Sequence, residues 1–300
     1  MKVQLPISSL LIIGTPFVIM GVLYLFRFYK KQNRLRSPFT QNLQRSPGQF
    51  MLAKLDAINK DLMTYLLSAL LIPLAIYAVH ISISYFKKAP ETHFRLWLSA
   101  CAAIGFFLFS IYKVITLLSK RRLIRLGYEG ALVVRQELNQ LMRDGFYVYH
   151  DFPADGFNID HIVVGSKGVF AIETEARSKP AAKNRVEDAT VEYDGRSLYF
   201  PKGDDFKTID QAERQAAWLS DWLGKAIGEP IAARAIVALP GWFVKRSSAE
   251  GISVVNPEQF SSLFEHIKPR PLSEAMITRI THQLDQKSRD IEPKSKTFDN

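Results

Sequence analysis

Cysteine is almost missing from this chain. Among 300 residues there is one, Cys101, and it sits in an apolar run. A single thiol excludes an intrachain disulfide, a CxxC redox pair and a Cys-rich zinc site, and it fits a reducing compartment. Acid is scarce in the first 120 residues, which hold 3 Asp and Glu against 14 Lys and Arg. Residues 121–300 are balanced, with 26 acids against 25 bases. The net charge of +10 therefore belongs to the first part. A basic pI often points to nucleic acid, but bases flanking membrane spans account for this one. Internal repeats are missing too, which excludes a solenoid.

Charge is absent from three long stretches. Val3–Phe26 has none over 24 residues, Leu62–Phe86 none over 25, and Leu96–Tyr112 none over 17. Lys113 and the apolar Val114–Ser119 follow the third. A bilayer core of about 30 Å takes about 20 helical residues, and Lys113 can snorkel to the interface. Water-soluble helices rarely stay apolar on every face for so long. We read residues 1–120 as a membrane region with three spans, at about 5–28, 62–86 and 96–118. The first resembles an uncleaved anchor, since Arg27 and Lys30 follow it and no small-residue cleavage site is evident. The segment after it carries Arg27, Lys30, Lys31, Arg34, Arg36, Arg45, Lys54 and Lys60. The one after the second span carries Lys87, Lys88 and Arg95. The heavier segment goes inside. The expectation is an integral protein of the inner or plasma membrane, partnered by the lipid bilayer, with its N-terminus outside and its C-terminal part cytoplasmic. His80, within a span, is expected to pack against a neighbouring helix. One internal His and no intramembrane acid give a transport role little support.

After about residue 120 the pattern changes. Leu123, Leu126, Gly130, Val134, Leu138 and Leu141 mark one face of an amphipathic helix. Strands follow at Phe146–His150, Asn158–Val164 and Val169–Ala176, the last two joined by a turn at Ser166-Lys167-Gly168. Asp194-Gly195 turns a hairpin between Val191–Tyr193 and Ser197–Phe200. Thr208–Lys225 reads as a helix, Ala233–Leu239 as a buried strand and Ile252–Val255 as a short one. Asn256 caps a helix over Pro257–Ile267, and Ser273 starts a last helix ending near Leu284. The expected fold is an α-helical transmembrane region followed by an α/β domain, a mixed sheet flanked by helices. The domain is placed at 121–245, with a C-terminal extension over 246–300.

Two acids stand inside apolar strands, Asp160 in Ile159-Asp-His-Ile-Val-Val164 and Glu173 in Val169-Phe-Ala-Ile-Glu-Thr174. Such acids cost several kcal/mol unless paired or bound to a cation. On adjacent strands their carboxylates could converge on Mg²⁺ or Mn²⁺, which take oxygen ligands. Strand periodicity places Glu175 on the face of Glu173. His161, one residue from Asp160, faces the other way and is expected to be packed. Arg177, Lys179, Lys183 and Arg185 form a basic loop, solvated or facing a phosphate backbone. Trp218, Trp222 and Trp242 read as core anchors.

Gly127-Tyr-Glu-Gly130 opening a helix, the Ile159–Val164 strand and Gly168–Thr174 together resemble the successive motifs of the nuclease-related domain (NERD). That family is related to the PD-(D/E)XK nucleases. The resemblance covers roughly residues 122–240 and implies a restriction-endonuclease-like fold. It implies a helix Glu at Glu129, a later helix Gln at Gln211, and Asp160, Glu173 and the Thr174 carbonyl on a metal; Glu175, where the chain departs from the family, completes the candidate catalytic group. The family's Lys, two residues after the Glu, is Glu175 here. Two consequences stand open. The chain is a metal-dependent nuclease of ExE form, cleaving DNA or RNA, or it is an inactive module that binds nucleic acid or a protein partner at the membrane.

Overall fold

The computed structural model describes residues 21–22, 24–25, 42–86, 93–179 and 189–291. The expected first span lies almost wholly outside these residues, as do Lys183 and Arg185. The chain divides into two units. One comprises 1–42, 61–117 and 292–300; the other comprises 43–60 and 118–291.

In the first unit the described chain is helical. It consists of the greater part of α1 (Gln49–Phe86) and the first half of α2 (His93–Leu141). Both helices are long and apolar enough to cross a membrane. Leu66, Leu70, Leu74, Tyr77, Leu98, Ile104 and Leu108 all point outward. Tyr65 meets Phe109 edge-on at 6.3 Å, and the Ser99 hydroxyl lies 3.5 Å from His80 Nδ1. These two contacts make the segments antiparallel and supply the helix neighbour expected for His80. Pro73 lies inside α1; apolar spans tolerate proline where neighbours re-satisfy the freed carbonyl.

The sequence suggests a break between a span ending near 118 and an amphipathic helix starting near 122. Instead α2 runs without interruption for 49 residues. Lys120-Arg-Arg-Leu123 are good helix formers and no proline intervenes, so a change of polarity is not a change of backbone. The helix ends in a 3-10 turn at Met142–Asp144, with Gly145 left-handed at φ 83°. That residue type closes helices readily because it carries no Cβ.

The second unit is α/β. Five strands form a mixed sheet in the order β1-β2-β3-β7-β9: β1 Tyr147–Pro153, β2 Asn158–Gly165, β3 Gly168–Thr174, β7 Ala233–Ala238 and β9 Ser253–Val255. Pairs β1–β2 and β2–β3 are antiparallel; β3–β7 and β7–β9 are parallel. The rest of the fold follows from the two-residue alternation along β3. Val169 and Ala171 face α3 (Thr208–Ile227) and α5 (Glu274–Ser288), packing with Leu219, Leu223, Ile280 and Leu284. Phe170 and Ile172 face the C-terminal part of α2 and α4 (Phe260–His266), packing with Val134, Leu138, Phe260 and Phe264. Asn256 and Ser273 cap the helices as their side chains suggest.

Where one sheet is expected, there are two. The second runs β6-β5-β4-β8, from β4 Thr190–Tyr193, β5 Leu198–Phe200, β6 Gly203–Asp205 and β8 Phe243–Arg246. The β4–β5 hairpin is readable at Asp194-Gly195. Strands β6 and β8 are not, because they are short, mostly exposed edges with no apolar alternation. This sheet has its own core of Val191, Tyr193, Leu198 and Phe200 against Ile209, Leu239 and Trp242.

Residues 43–60 belong with this α/β unit. Leu43 forms an antiparallel bridge with Ile291. Arg45 grips Asp290 with two hydrogen bonds, at 2.7 and 2.6 Å, and reaches Asp151 at 3.4 Å. The Phe50 N–H, in the first turn of α1, donates to the same Asp151 carboxylate at 3.0 Å, where a helix N-terminus favours an anion.

Candidate functional site

Strand register brings the acids together. The pairing of β2 with β3 includes His161 opposite Ile172, and one further step in that register sets Asp160 opposite Glu173. Between β1 and β2 the pairing holds at His150–His161 and at Phe152–Ile159 but skips Asp151. Asp151 has a φ of 48°, uncommon for a residue with a Cβ. Asp151, Asp160 and Glu173 thus occupy one row across three strands. Like charges placed so are mutually destabilising.

Each carboxylate has a distinct holder. Asp160 Oδ2 accepts the Thr174 backbone N–H at 2.9 Å. Glu173 is buried, and its two oxygens accept the side-chain amides of Gln211 at 2.7 Å and Gln215 at 2.6 Å. Glu175 follows the end of β3, where its backbone N–H continues the ladder to the Ala238 carbonyl at 3.0 Å. Its Oε1 accepts from Arg177 Nε at 2.8 Å. Among the described ion pairs, neither Asp160 nor Glu173 takes part.

The electrostatics follow from that geometry. Burial pushes the Asp160 carboxyl up to about 7; the Thr174 N–H opposes the shift, and the charges of Asp151 and Glu175 add to it. Burial holds Glu173 well above the usual carboxylate range, reinforced by Asp160 and Glu175 and countered by the Gln215 amide. Burial also raises Glu175, and Arg177 pulls it back. Each of these acids is pushed toward its neutral form, by burial first and by like charge second.

Of the residues suggested by sequence, Asp160, Glu173, Thr174, Glu175 and Gln211 assemble here. Glu129 does not join them in any described contact. It is exposed on α2 and pairs with Arg125 one turn away at 2.8 Å. The adjacent Gly130 has a clear packing role, because a Cβ there would lie 2.6 Å from the Ala176 side chain. His161 is fully buried, as expected, with its Nδ1 2.8 Å from that of His150 across the β1–β2 pair.

Two participants escaped the sequence reading, and a third, Arg177, was placed by it only in a basic loop. Gln215 lies four residues after Gln211, and that spacing puts both on one helical face, a usable signal. Asp205 is buried and accepts from the Lys207 and Thr208 backbone N–H groups at 2.8 and 3.0 Å, so it caps α3, the helix that carries both glutamines. Arg177 bridges Glu175 to Asp205, at 2.8 and 2.5 Å. No local pattern marks Asp205, and the basic run that includes Arg177 does not reveal its pairing with Glu175.

Among the described residues, no three His, Cys, Asp or Glu side chains are grouped to hold a metal ion. The donors that are present nevertheless suit a hard cation. Asp160 and Glu173 are neighbouring carboxylates without an ion-pair partner, and oxygen donors are what Mg²⁺ and Mn²⁺ take.

No curated protein and no solved structure matches the chain. Residues 126–240, the span holding these carboxylates and both glutamines, match the family model of the NERD, nuclease-related domain.

Proposed function

We propose that this chain is a membrane-anchored, divalent-metal-dependent nuclease in which Glu175 takes the place of the family's Lys. The observation that carries the proposal is the Asp160–Glu173 pair, two adjacent carboxylates raised toward neutrality by burial and, among the described residues, outside every ion pair. Asp160, Glu173 and the Thr174 carbonyl would hold Mg²⁺ or Mn²⁺. When bound, such an ion supplies charge stabilisation at a phosphodiester and a more acidic water. Gln211 and Gln215 fix the Glu173 carboxylate, and the Thr174 N–H fixes that of Asp160. Glu175 accepts the proton of the attacking water. Burial suits it to this, because a raised carboxyl is a stronger base. In the anchoring part, the two long apolar helices and their outward-facing Leu, Phe and Tyr side chains support lipid contact. A third span over about 5–28, an external N-terminus and a cytoplasmic α/β unit complete the proposed arrangement.

One observation favours a second reading. Glu175 is already ion-paired with Arg177 at 2.8 Å, as it would be in a domain that binds without cutting. Purified full-length protein assayed on single- and double-stranded DNA and RNA with Mg²⁺ and Mn²⁺ separates the two. Glu175→Gln keeps size and removes proton acceptance, so cleavage should fall by at least about tenfold, the low end for losing a general base. Glu175→Lys restores the commoner family pattern and should weaken metal binding in a working ExE site. In an inactive site it creates activity. If parent and both variants are inert on every substrate, the hydrolase reading fails and the binding module replaces it.

A further inference from the structure

We propose that Arg177 is the phosphate-contacting cation of this site, supplying from a different backbone position the charge that Glu175 removes. The inference rests on the reading that the site meets a phosphodiester, but not on its cutting one. Arg177 lies three residues past the end of β3, yet its side chain is tightly placed. Nε donates to Glu175 at 2.8 Å, Nη2 to Asp205 at 2.5 Å and Nη1 to the Gly203 carbonyl at 3.3 Å. The guanidinium carbon stands 4.4 Å from the Phe200 ring centroid. The Trp242 indole N–H holds the residue's own carbonyl at 3.4 Å. The side chain remains 29% exposed, so solute can reach it.

Charge balance shows why this cation matters. Asp160, Glu173, Glu175 and Asp205 place four carboxylates around the end of β3. In the described ion pairs, Arg177 is the cation that meets any of them. An anionic backbone approaching these acids is repelled unless a positive group turns toward it. A planar guanidinium suits phosphate better than an ammonium would, because its five donors form a fork. Among the described residues, three of those donors are engaged. Glu175 competes with an incoming phosphate oxygen for the same guanidinium, so it tempers binding as well as serving the chemistry.

Arg177 also ties down Asp205, which caps α3, so the test must separate contact from support. Full-length protein in detergent is titrated into a fluorescein-labelled 12-nucleotide single-stranded DNA at constant millimolar Ca²⁺. Anisotropy is followed over a series of salt concentrations. Arg177→Gln should weaken binding by about tenfold and lower the slope of log affinity against log salt by about 0.7, the value for one single-strand phosphate contact. Arg177→Lys should keep the slope and lose part of the affinity. Glu175→Gln, which releases the guanidinium, should tighten binding. A purely structural role would shift melting temperature and leave the slope alone. An unchanged slope in Arg177→Gln overturns the assignment, as does a parent that fails to bind. Should Arg177→Gln not fold, absence of tightening in Glu175→Gln overturns it. Cleavage is read in parallel with Mg²⁺. An Arg177-dependent slope without cleavage removes the nuclease reading and leaves Arg177 in place; cleavage with an Arg177-independent slope does the reverse.

Discussion

Asp160→Asn offers the sharpest physical test of the carboxylate row. Asn keeps an oxygen to accept the Thr174 N–H and removes the charge. In the folded protein the Asp160 carboxyl holds its proton up to about 7, against an ordinary value of 3.8. Between those values the folded state binds more protons than the unfolded one, so stability falls as pH rises through that window. A shift of roughly three units corresponds to a ceiling of about 4 kcal/mol by pH 8. Coupling to Glu173 shares that penalty, so the part relieved by Asn is smaller, on the order of 1–3 kcal/mol. Without divalent ions, Asp160→Asn should therefore be more stable than the parent at pH 8 and nearly equal to it at pH 4. Urea denaturation followed by tryptophan fluorescence reads this, since Trp218, Trp222 and Trp242 all lie in the α/β unit. A variant that is less stable than the parent at pH 8, or that retains the parent's full decline from pH 4 to pH 8, refutes the account.

Three further outcomes follow from the same structure. Millimolar Mn²⁺ should raise the parent's melting temperature by binding the folded state, and Asp160→Ala should abolish the rise; an unchanged parent argues against a metal site. Arg45→Ala removes the bidentate hold on Asp290 and, among the described residues, the cation paired with Asp151. Breaking a fully buried pair costs about 3–5 kcal/mol, and this pair is only partly buried, so about 2 kcal/mol lost in denaturant titration is expected. No loss would mean that the segment before α1 does not support the domain. A reporter fused after Asn300 should behave as cytoplasmic and one inserted near Pro90 as external, and reversed signals would overturn the orientation.

Much of this architecture is local and therefore legible in sequence. Strands β1, β2 and β3 follow from apolar runs cut by turn residues, and α3 from its periodicity. The caps at Asn256 and Ser273 follow from side chains that satisfy nearby N–H groups. Asp160 and Glu173 stand out because an acid in an apolar strand needs a reason. The long apolar runs of α1 and α2 are equally plain, since lipid-length hydrophobicity needs no partner to be seen.

Tertiary structure alone decided the rest, because the remaining contacts join residues far apart in sequence. Which residue of β2 opposes Glu173 depends on register, and a slip of one residue would turn Asp160 away from it. The continuity of α2 past Lys120 depends on a backbone that has no reason to break, which polarity alone does not report. Asp205 and Arg177 are ordinary surface residue types by composition. The packing of the second sheet makes one of them a helix cap and the other the counter-charge of Glu175. Gln211 was within reach of sequence reading and its grip on Glu173 was not, because a hydrogen bond across 38 positions exists only once α3 has packed on the sheet.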